Sequence, residues 1–295
     1  MKKAAFIVNP ISGTRGKVRP ENYLERFFTH YTDWYIDIYY TKGAEDAYEA
    51  ALRYKESKVD LVVAVGGDGT VNQVARALVF STIPLGIIPT GSGNGLARHL
   101  RIPRSLPKAA DVLLQQHIAV IDSGAINGRP FFCTAGVGFE ASLANRFDAA
   151  PVRGFSSYIA LSAMEYTHYH PEKYKIYVGD SMMEREAFLI TFANCAQWGN
   201  NVYIAPGACA TDGQLDMVIW NSTSVARIPF TAMRLLAKNI DHSKFIETFR
   251  GPLFKIQRMC DGYVQFDGEH VWMGRDLNVE VFPASLKVVA PCAFE

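Results

Sequence analysis

No stretch of the 295-residue chain approaches the roughly 18 consecutive apolar residues of a membrane-spanning helix, although 49% of its residues are hydrophobic. That apolar content is ample for two ordinary cores. Global charge is also lacking. Thirty basic and 29 acidic residues leave +1, which gives no overall pull towards nucleic acid or an acidic surface, so any basic patch has to be local. Cysteine is sparse: Cys133, Cys195, Cys209, Cys260 and Cys292 are odd in number, scattered and never spaced Cys-x-x-Cys. This usage suits a reducing compartment and argues against a zinc site. Lys2 and Lys3 precede only a short apolar segment that reads as a first strand, not as a secretion signal. Two nucleotide fingerprints are missing as well. There is no Gly-x4-Gly-Lys-Ser/Thr, and no Gly-x-Gly-x-x-Gly followed by an acid on the next strand, which disfavours both common nucleotide folds.

What the chain does have is a pair of glycine-rich turns one strand apart. Gly66-Gly67-Asp68-Gly69-Thr70 follows the apolar run Val59 to Val65, and Thr90-Gly91-Ser92-Gly93-Asn94-Gly95 follows Leu85 to Ile88. Each leads into helical spacing, the first through Val71, Val74, Ala75 and Leu78. Passing from a buried strand to a helix within so few residues calls for positive φ angles and bare backbone, which glycine supplies. The N–H groups then face one spot that attracts phosphate. Asp68, held between glycines, could meet a magnesium ion or a reacting hydroxyl; an ordinary Asp-Gly turn is the alternative.

Strand-like Ala4 to Val8, Tyr35 to Tyr40, Leu61 to Val65 and Leu85 to Ile88 alternate with helical Val18 to Thr29, Ala44 to Lys55, Val71 to Phe80 and Lys108 to Gln116. The alternation predicts an α/β domain with a mainly parallel sheet over residues 1–120. From about Ile118 the texture turns β-rich, with runs such as Arg129 to Ala135, Tyr174 to Val178, Glu186 to Asn194, Leu215 to Trp220, Leu253 to Met259, Val264 to Asp267 and Leu286 to Ala290. A β-sandwich over 121–295 is expected, with room for the C-terminal tail to pack back on the first domain. Helices around Phe155 to Thr167 and Val225 to Asn239 are the exceptions. The histidines show no metal-like pairing, and His168 and His170 would diverge on a helix.

Seven ordered blocks resemble the diacylglycerol kinase catalytic-domain family, which includes bacterial lipid kinases and the sphingosine and ceramide kinases. They are Val8 to Gly13 with Gly16-Lys17 following, Gly66 to Thr70, Pro89 to Asn94, Gly136 to Glu140, Ala205 to Ala208, Asp212 to Asp216, and Asp267-Gly268-Glu269. The resemblance implies an NAD kinase-like nucleotide domain, a C-terminal sandwich and a catalytic cleft between them. It implies ATP- and magnesium-dependent phosphorylation of a lipid hydroxyl, by a cytoplasmic protein in peripheral contact with the membrane. No nucleic acid partner is expected.

Carried over by this resemblance, Gly66, Gly67, Asp68, Gly69 and Thr70 would cradle the ATP phosphates, and Asn9, Thr41, Gly91, Ser92 and Asn94 would complete the nucleotide site. Asn9 and Thr41 have an alternative role as turn caps. Glu269 would be the general base for the lipid hydroxyl, with an exposed hairpin-turn glutamate as the plainer reading and Asp68 as the rival base. Magnesium would be held by Asp212 with the carbonyls of Cys209 and Gln214; Asp216 would add charge or face solvent. One departure stands out. Bacterial diacylglycerol kinases usually carry Asn-Asp-Phe where this chain has Asn94-Gly95-Leu96, which raises a sphingoid or related substrate.

Two rival functions are an NAD kinase-like enzyme for a soluble substrate and a catalytically silent lipid-binding regulator. Retention of Asp68, Asp212 and Glu269 argues for chemistry. Basic residues Arg98, His99, Arg101 and Arg104, and Arg227, Arg234, Lys238 and Lys244 around Phe230, Leu235, Leu236, Ile240 and Phe245, either approach anionic lipid or form solvated faces.

Overall fold

The computed structural model describes residues 1–12, 20–148, 168–221 and 228–292. Gly13, Gly16-Lys17, the helix expected around Phe155 to Thr167 and the stretch Val225 to Arg227 lie outside the described residues. The chain forms two compact units, Met1–Ile121 with Ala284–Glu295, and Asp122–Pro283.

The first unit alternates strand and helix: β1 (Lys2–Val8), α1 (Pro20–Phe28), β2 (Trp34–Tyr40), α2 (Asp46–Glu56), β3 (Leu61–Gly66), α3 (Asp68–Leu78), β4 (Leu85–Pro89), α4 (Gly95–His99) and α5 (Leu106–Gln115). Its strands pair in parallel, β2 with β1, β1 with β3, β3 with β4, and β4 with Val288 near the chain's end. β3 and β4 are buried along their whole length, as unbroken apolar runs demand of a sheet covered on both faces. β2, at the edge, alternates between partly buried and exposed residues instead. α3 buries Val71, Val74, Ala75 and Leu78 at helical spacing. Chain order reverses between β1 and β3, so their carboxyl ends flank the crevice where parallel α/β sheets bind ligands.

The second unit comprises β5 (Ile118–Ile126, which begins in the first), β6 (Arg129–Phe131), β7 (Thr134–Gly138), α6 (Phe139–Asp148), β8 (Glu172–Val178), β9 (Ser181–Ala193), β10 (Gln197–Gly199), β11 (Val202–Tyr203), β12 (Leu215–Asn221), α7 (Ile228–Leu236), β13 (Ile246–Gly251), β14 (Leu253–Arg258), β15 (Gly262–Phe266), β16 (Glu269–Met273) and β17 (Asp276–Val289, which ends in the first). Pairing here is antiparallel, and the long β9 changes partners: its first half pairs with β8, and its second half lies between β7 and β12. Alternation sorts its side chains. Ile190 and Phe192 of β9 join Met217 and Ile219 of β12 in the sandwich core with Phe254, Val264 and Phe266. Leu189, Val218 and Trp220 point the other way, into a second cluster with Phe139, Leu143 and Leu235 from the helices.

Three expectations change. The run Arg129 to Ala135 is broken between β6 and β7, because the N–H groups of Phe132 and Cys133 donate to the Asp267 carboxylate at 2.8 and 2.7 Å. β13 and β16 appear where no strand was expected; β13 mixes apolar with partly exposed polar residues, and β16 offers only the short apolar run Val271 to Met273, none of it fully buried. His168 and His170 precede β8 in irregular backbone, not on a helix.

Candidate active site

In the first unit the sequence-predicted nucleotide residues lie at the carboxyl ends of β1, β2, β3 and β4. Main-chain bonds extend the ladder past the strands: Asn9 N–H donates to Val65 O at 3.0 Å, Thr90 N–H to Gly66 O at 2.9 Å, and Thr41 N–H to Val8 O at 2.9 Å. Asn9 Nδ2 donates to Thr70 Oγ1 at 3.2 Å, while its Oδ1 accepts the N–H of Ile11 at 3.1 Å. Asn9 is thus a turn cap and a link between two strand ends at once. Ser12 adds a further link, donating to Asn9 O at 2.8 Å with its hydroxyl 2.8 Å from Thr90 Oγ1.

The glycines serve close approach, not left-handed backbone, which corrects the expectation. Glycines with positive φ lie elsewhere in the described residues, and Gly67 is extended at φ −92°. The positive φ in the second turn falls to Asn94, at 51°. A Cβ on Gly66 would collide with the Thr70 side chain, and one on Gly91 would stand 2.5 Å from the Gly67 Cα. The two turns therefore meet main chain to main chain.

Asp68 locks them together. It is the first residue of α3, and its carboxylate accepts the N–H of Gly95 at 2.6 Å and of Asn94 at 2.8 Å. Two main-chain donors occupy its two oxygens, so its geometry is that of a clamp between the turns. Arg98 Nε donates to Gly93 O at 2.8 Å, which makes it a brace for the second turn. Asn94 Nδ2 donates to Gly91 O at 2.6 Å, whereas Asn94 Oδ1 is buried without a protein partner. A polar atom of that kind calls for a ligand or water. Ser92 is exposed on the same turn.

In the second unit Glu269 opens β16, directly after a turn in which Asp267 and Gly268 have φ of 48° and 96°. Its carboxylate is partly buried and lies 3.5 Å from Arg129 Nη2, whose guanidinium also covers the Phe266 ring. The hairpin that carries it is pinned at both ends. At the turn, Asp267 accepts the N–H groups of Phe132, Cys133 and Thr134. At the open end the buried Arg258 donates to the carbonyls of Gly262, Tyr263, Met273 and Gly274.

The Asp212 loop is tied to that hairpin through Asn194, whose Nδ2 donates to Phe132 O and Asp122 O, both at 2.9 Å. Asp122 Oδ2 in turn accepts the Gly213 N–H at 2.7 Å. Asp212 Oδ1 accepts the N–H of Gln214, and Arg250 Nη1 lies 3.9 Å from its other oxygen. Asp216 is buried and held by Arg250 Nε and Nη2 at 3.0 and 3.1 Å, so it does not face solvent. Burial pushes its carboxyl up from the usual range in spite of Arg250. The Cys209 thiol lies 3.3 Å from Thr211 Oγ1. Among the described residues no three His, Cys, Asp or Glu side chains cluster as metal ligands. The donors present are hard oxygens with one accessible carboxylate, a set that fits an ion keeping most of its waters, as magnesium does.

Glu140, which the sequence placed in a family block without assigning it a role, sits in the first turn of α6. Burial pushes its carboxyl up to about 8, opposed by the Thr191 hydroxyl, which donates at 3.1 Å. A Cβ on Gly136 would collide with it, so that glycine clears its space. Arg129, Arg250 and Asn194 were equally silent in the sequence, since nothing local marks the partner of a lone arginine or asparagine.

A model of the diacylglycerol kinase catalytic domain matches residues 3–126, and a model of the YegS C-terminal NAD kinase beta sandwich-like domain matches residues 133–290. The chain belongs to the diacylglycerol kinase family. It is 30% identical over 279 residues to a diacylglycerol kinase of Bacillus subtilis (strain 168), covering 92% of this chain and 90% of that one. It is 28% identical over 264 residues to "Probable lipid kinase YegS" of Escherichia coli O127:H6, covering 87% and 86%. A solved diacylglycerol kinase structure from Bacillus anthracis strain Sterne shares the fold, with TM-score 0.73 at 21% identity over 100% of this chain and 98% of that one. The chain is accordingly a kinase of a lipid kinase family, with an N-terminal part built on parallel strands and a C-terminal β-sandwich.

Proposed function

We propose that this kinase transfers the γ-phosphoryl group of ATP to the hydroxyl of a membrane lipid, of the diacylglycerol or sphingoid kind, at the cytosolic face of a membrane. The clamp of Asp68 on the second glycine turn carries this reading. It fixes two bare main-chain turns at the carboxyl ends of β3 and β4, where phosphate is held by amides and the α3 N-terminus. Gly67, Gly69, Thr70, Gly91 and Ser92 bind and orient the triphosphate, while Asn9, Ser12 and Thr90 keep the strand ends in register. Thr41 closes the β2 side. Phosphoryl transfer needs positioning and charge stabilisation more than covalent help from the protein.

Glu269 takes the proton of the lipid hydroxyl, and the doubly pinned hairpin holds its carboxylate in place. Asp68 is the positioning residue. Asp212, with the carbonyls of Cys209 and Gln214, would hold magnesium, which supplies charge neutralisation to the phosphates when bound.

Radiolabelled ATP incubated with magnesium and extracted membrane lipids should yield a labelled lipid, lost in Asp68→Ala and strongly reduced in Glu269→Gln. ATP binding without any labelled lipid would refute the assignment and favour a regulatory protein.

A further inference from the structure

Phe230, Met233 and Leu236 of α7 are 57%, 64% and 59% exposed. Recurring every third residue, they share one side of the helix with exposed Ala237, while Thr231 and Leu235 are buried on the other. Leu235 anchors the helix in the second core cluster beside Trp220 and Ile240. Three large apolar side chains in a row on the wet side of a helix are unusual for a protein surface.

Cations flank them. Arg234 covers the Phe230 ring at 5.0 Å, Lys238 sits 4.4 Å from the centre of the Tyr203 ring, and Lys244 lies 5.4 Å from that of Phe245. Asp241 and His242 are also exposed beside them, so the local balance is positive. Exposed apolar side chains followed closely along the chain by cations complement a bilayer whose surface is anionic.

We infer that this face of α7 docks on an anionic lipid surface, with Phe230, Met233 and Leu236 entering the acyl boundary and Lys238 and Lys244 meeting lipid phosphates. The choice of occupant rests on the lipid-kinase reading, since such a substrate resides in a bilayer. Among the described residues no helix is long and apolar enough to cross one, so the described fold meets its substrate from the surface. The charge balance favours a bilayer over a second copy, whose identical face would bring like cations together.

Co-sedimentation of the full chain with vesicles of phosphatidylcholine, alone or mixed with phosphatidylglycerol, tests it. Binding should require phosphatidylglycerol, weaken with salt, and fall about tenfold or more both in Phe230→Ser/Met233→Ser and in Lys238→Glu/Lys244→Glu. Unchanged circular dichroism and melting temperature would establish that both variants fold. Each should still phosphorylate lipid presented in detergent micelles. Failure of the docking idea would appear as indifference to phosphatidylglycerol, or as equal vesicle binding by wild type and both variants. Light scattering showing a dimer that Phe230→Ser/Met233→Ser dissolves would assign the face to a second copy and overturn the inference. Vesicle binding that follows the expected pattern, with no lipid labelled in micelles, would leave the docking face standing and remove the kinase reading instead.

Discussion

Gly91 lies against Gly67 so closely that a Cβ on the former would stand 2.5 Å from the Cα of the latter. Main chain cannot rotate aside as a side chain does, so Gly91→Ala must push the two turns apart. Overpacking of this kind costs about 1–3 kcal/mol. The expected outcome is a lower melting temperature and a raised KM for ATP. Gly43→Ala, where an added Cβ meets nothing within 4 Å, is the matched control and should be silent. Equal behaviour of the two variants would contradict the close-approach account.

Asp267 holds three consecutive main-chain N–H groups, those of Phe132, Cys133 and Thr134. Asp267→Ala strips all three of this partner, at a cost of about 1–3 kcal/mol or more. Urea unfolding should show the loss, and lipid phosphorylation should fall with it because the turn before Glu269 is released. Asp267→Asn keeps one acceptor oxygen and should recover part of both.

Glu269 itself is a partly exposed residue whose ion pair with Arg129 spans 3.5 Å. Such pairs contribute little to stability. Glu269→Gln should therefore leave the unfolding midpoint nearly unchanged while kcat falls by about 10²–10⁴, the usual contribution of general-base catalysis. A variant that retains wild-type kcat would remove Glu269 from the mechanism.

The buried Glu140 makes a prediction about pH. Its carboxyl has an ordinary value of 4.5 and is pushed up to about 8 in the folded protein. Between these values the folded state binds a proton that the unfolded state has released. The stability that goes with that proton is fully present below 4.5 and is lost as pH rises towards about 8. Glu140→Gln preserves the acceptor for Thr191 and has no proton to lose. It should match wild type at the acid end of this window and exceed it at pH 8, by an amount on the order of a few kcal/mol. Thermal melts of both proteins across the window check the sign. A constant difference at every pH would mean that Glu140 does not titrate in this range.

The parallel half of the fold was legible because Leu61 to Val65 and Leu85 to Ile88 are unbroken apolar runs set between helical periods. β13 and β16 were not, since strands with partly wet faces and mixed composition carry no period-2 signal strong enough to read. The break between β6 and β7 was hidden for a different reason. Phe132 and Cys133 leave the ladder because a carboxylate from Asp267, over 130 positions away along the chain, claims their N–H groups. Similarly, glycine was expected in these turns for its positive φ, whereas Gly66 is needed to clear the Thr70 side chain and Gly67 and Gly91 to let the two turns touch.

By itself the sequence determined which segments could form buried strands, where glycine would bare the main chain, and which acids belong to the family's ordered blocks. These are properties of short windows, in which periodicity and turn chemistry act within a few residues. Only the tertiary structure decided what those acids do. Asp68 clamps a turn 26 residues away, Asp216 is taken by Arg250, and Asn194 joins the Asp212 loop to the Glu269 hairpin through Phe132 and Asp122. A hydrogen bond requires donor and acceptor within about 3 Å and in line, and for residues so distant in sequence, strand register and packing alone supply that geometry.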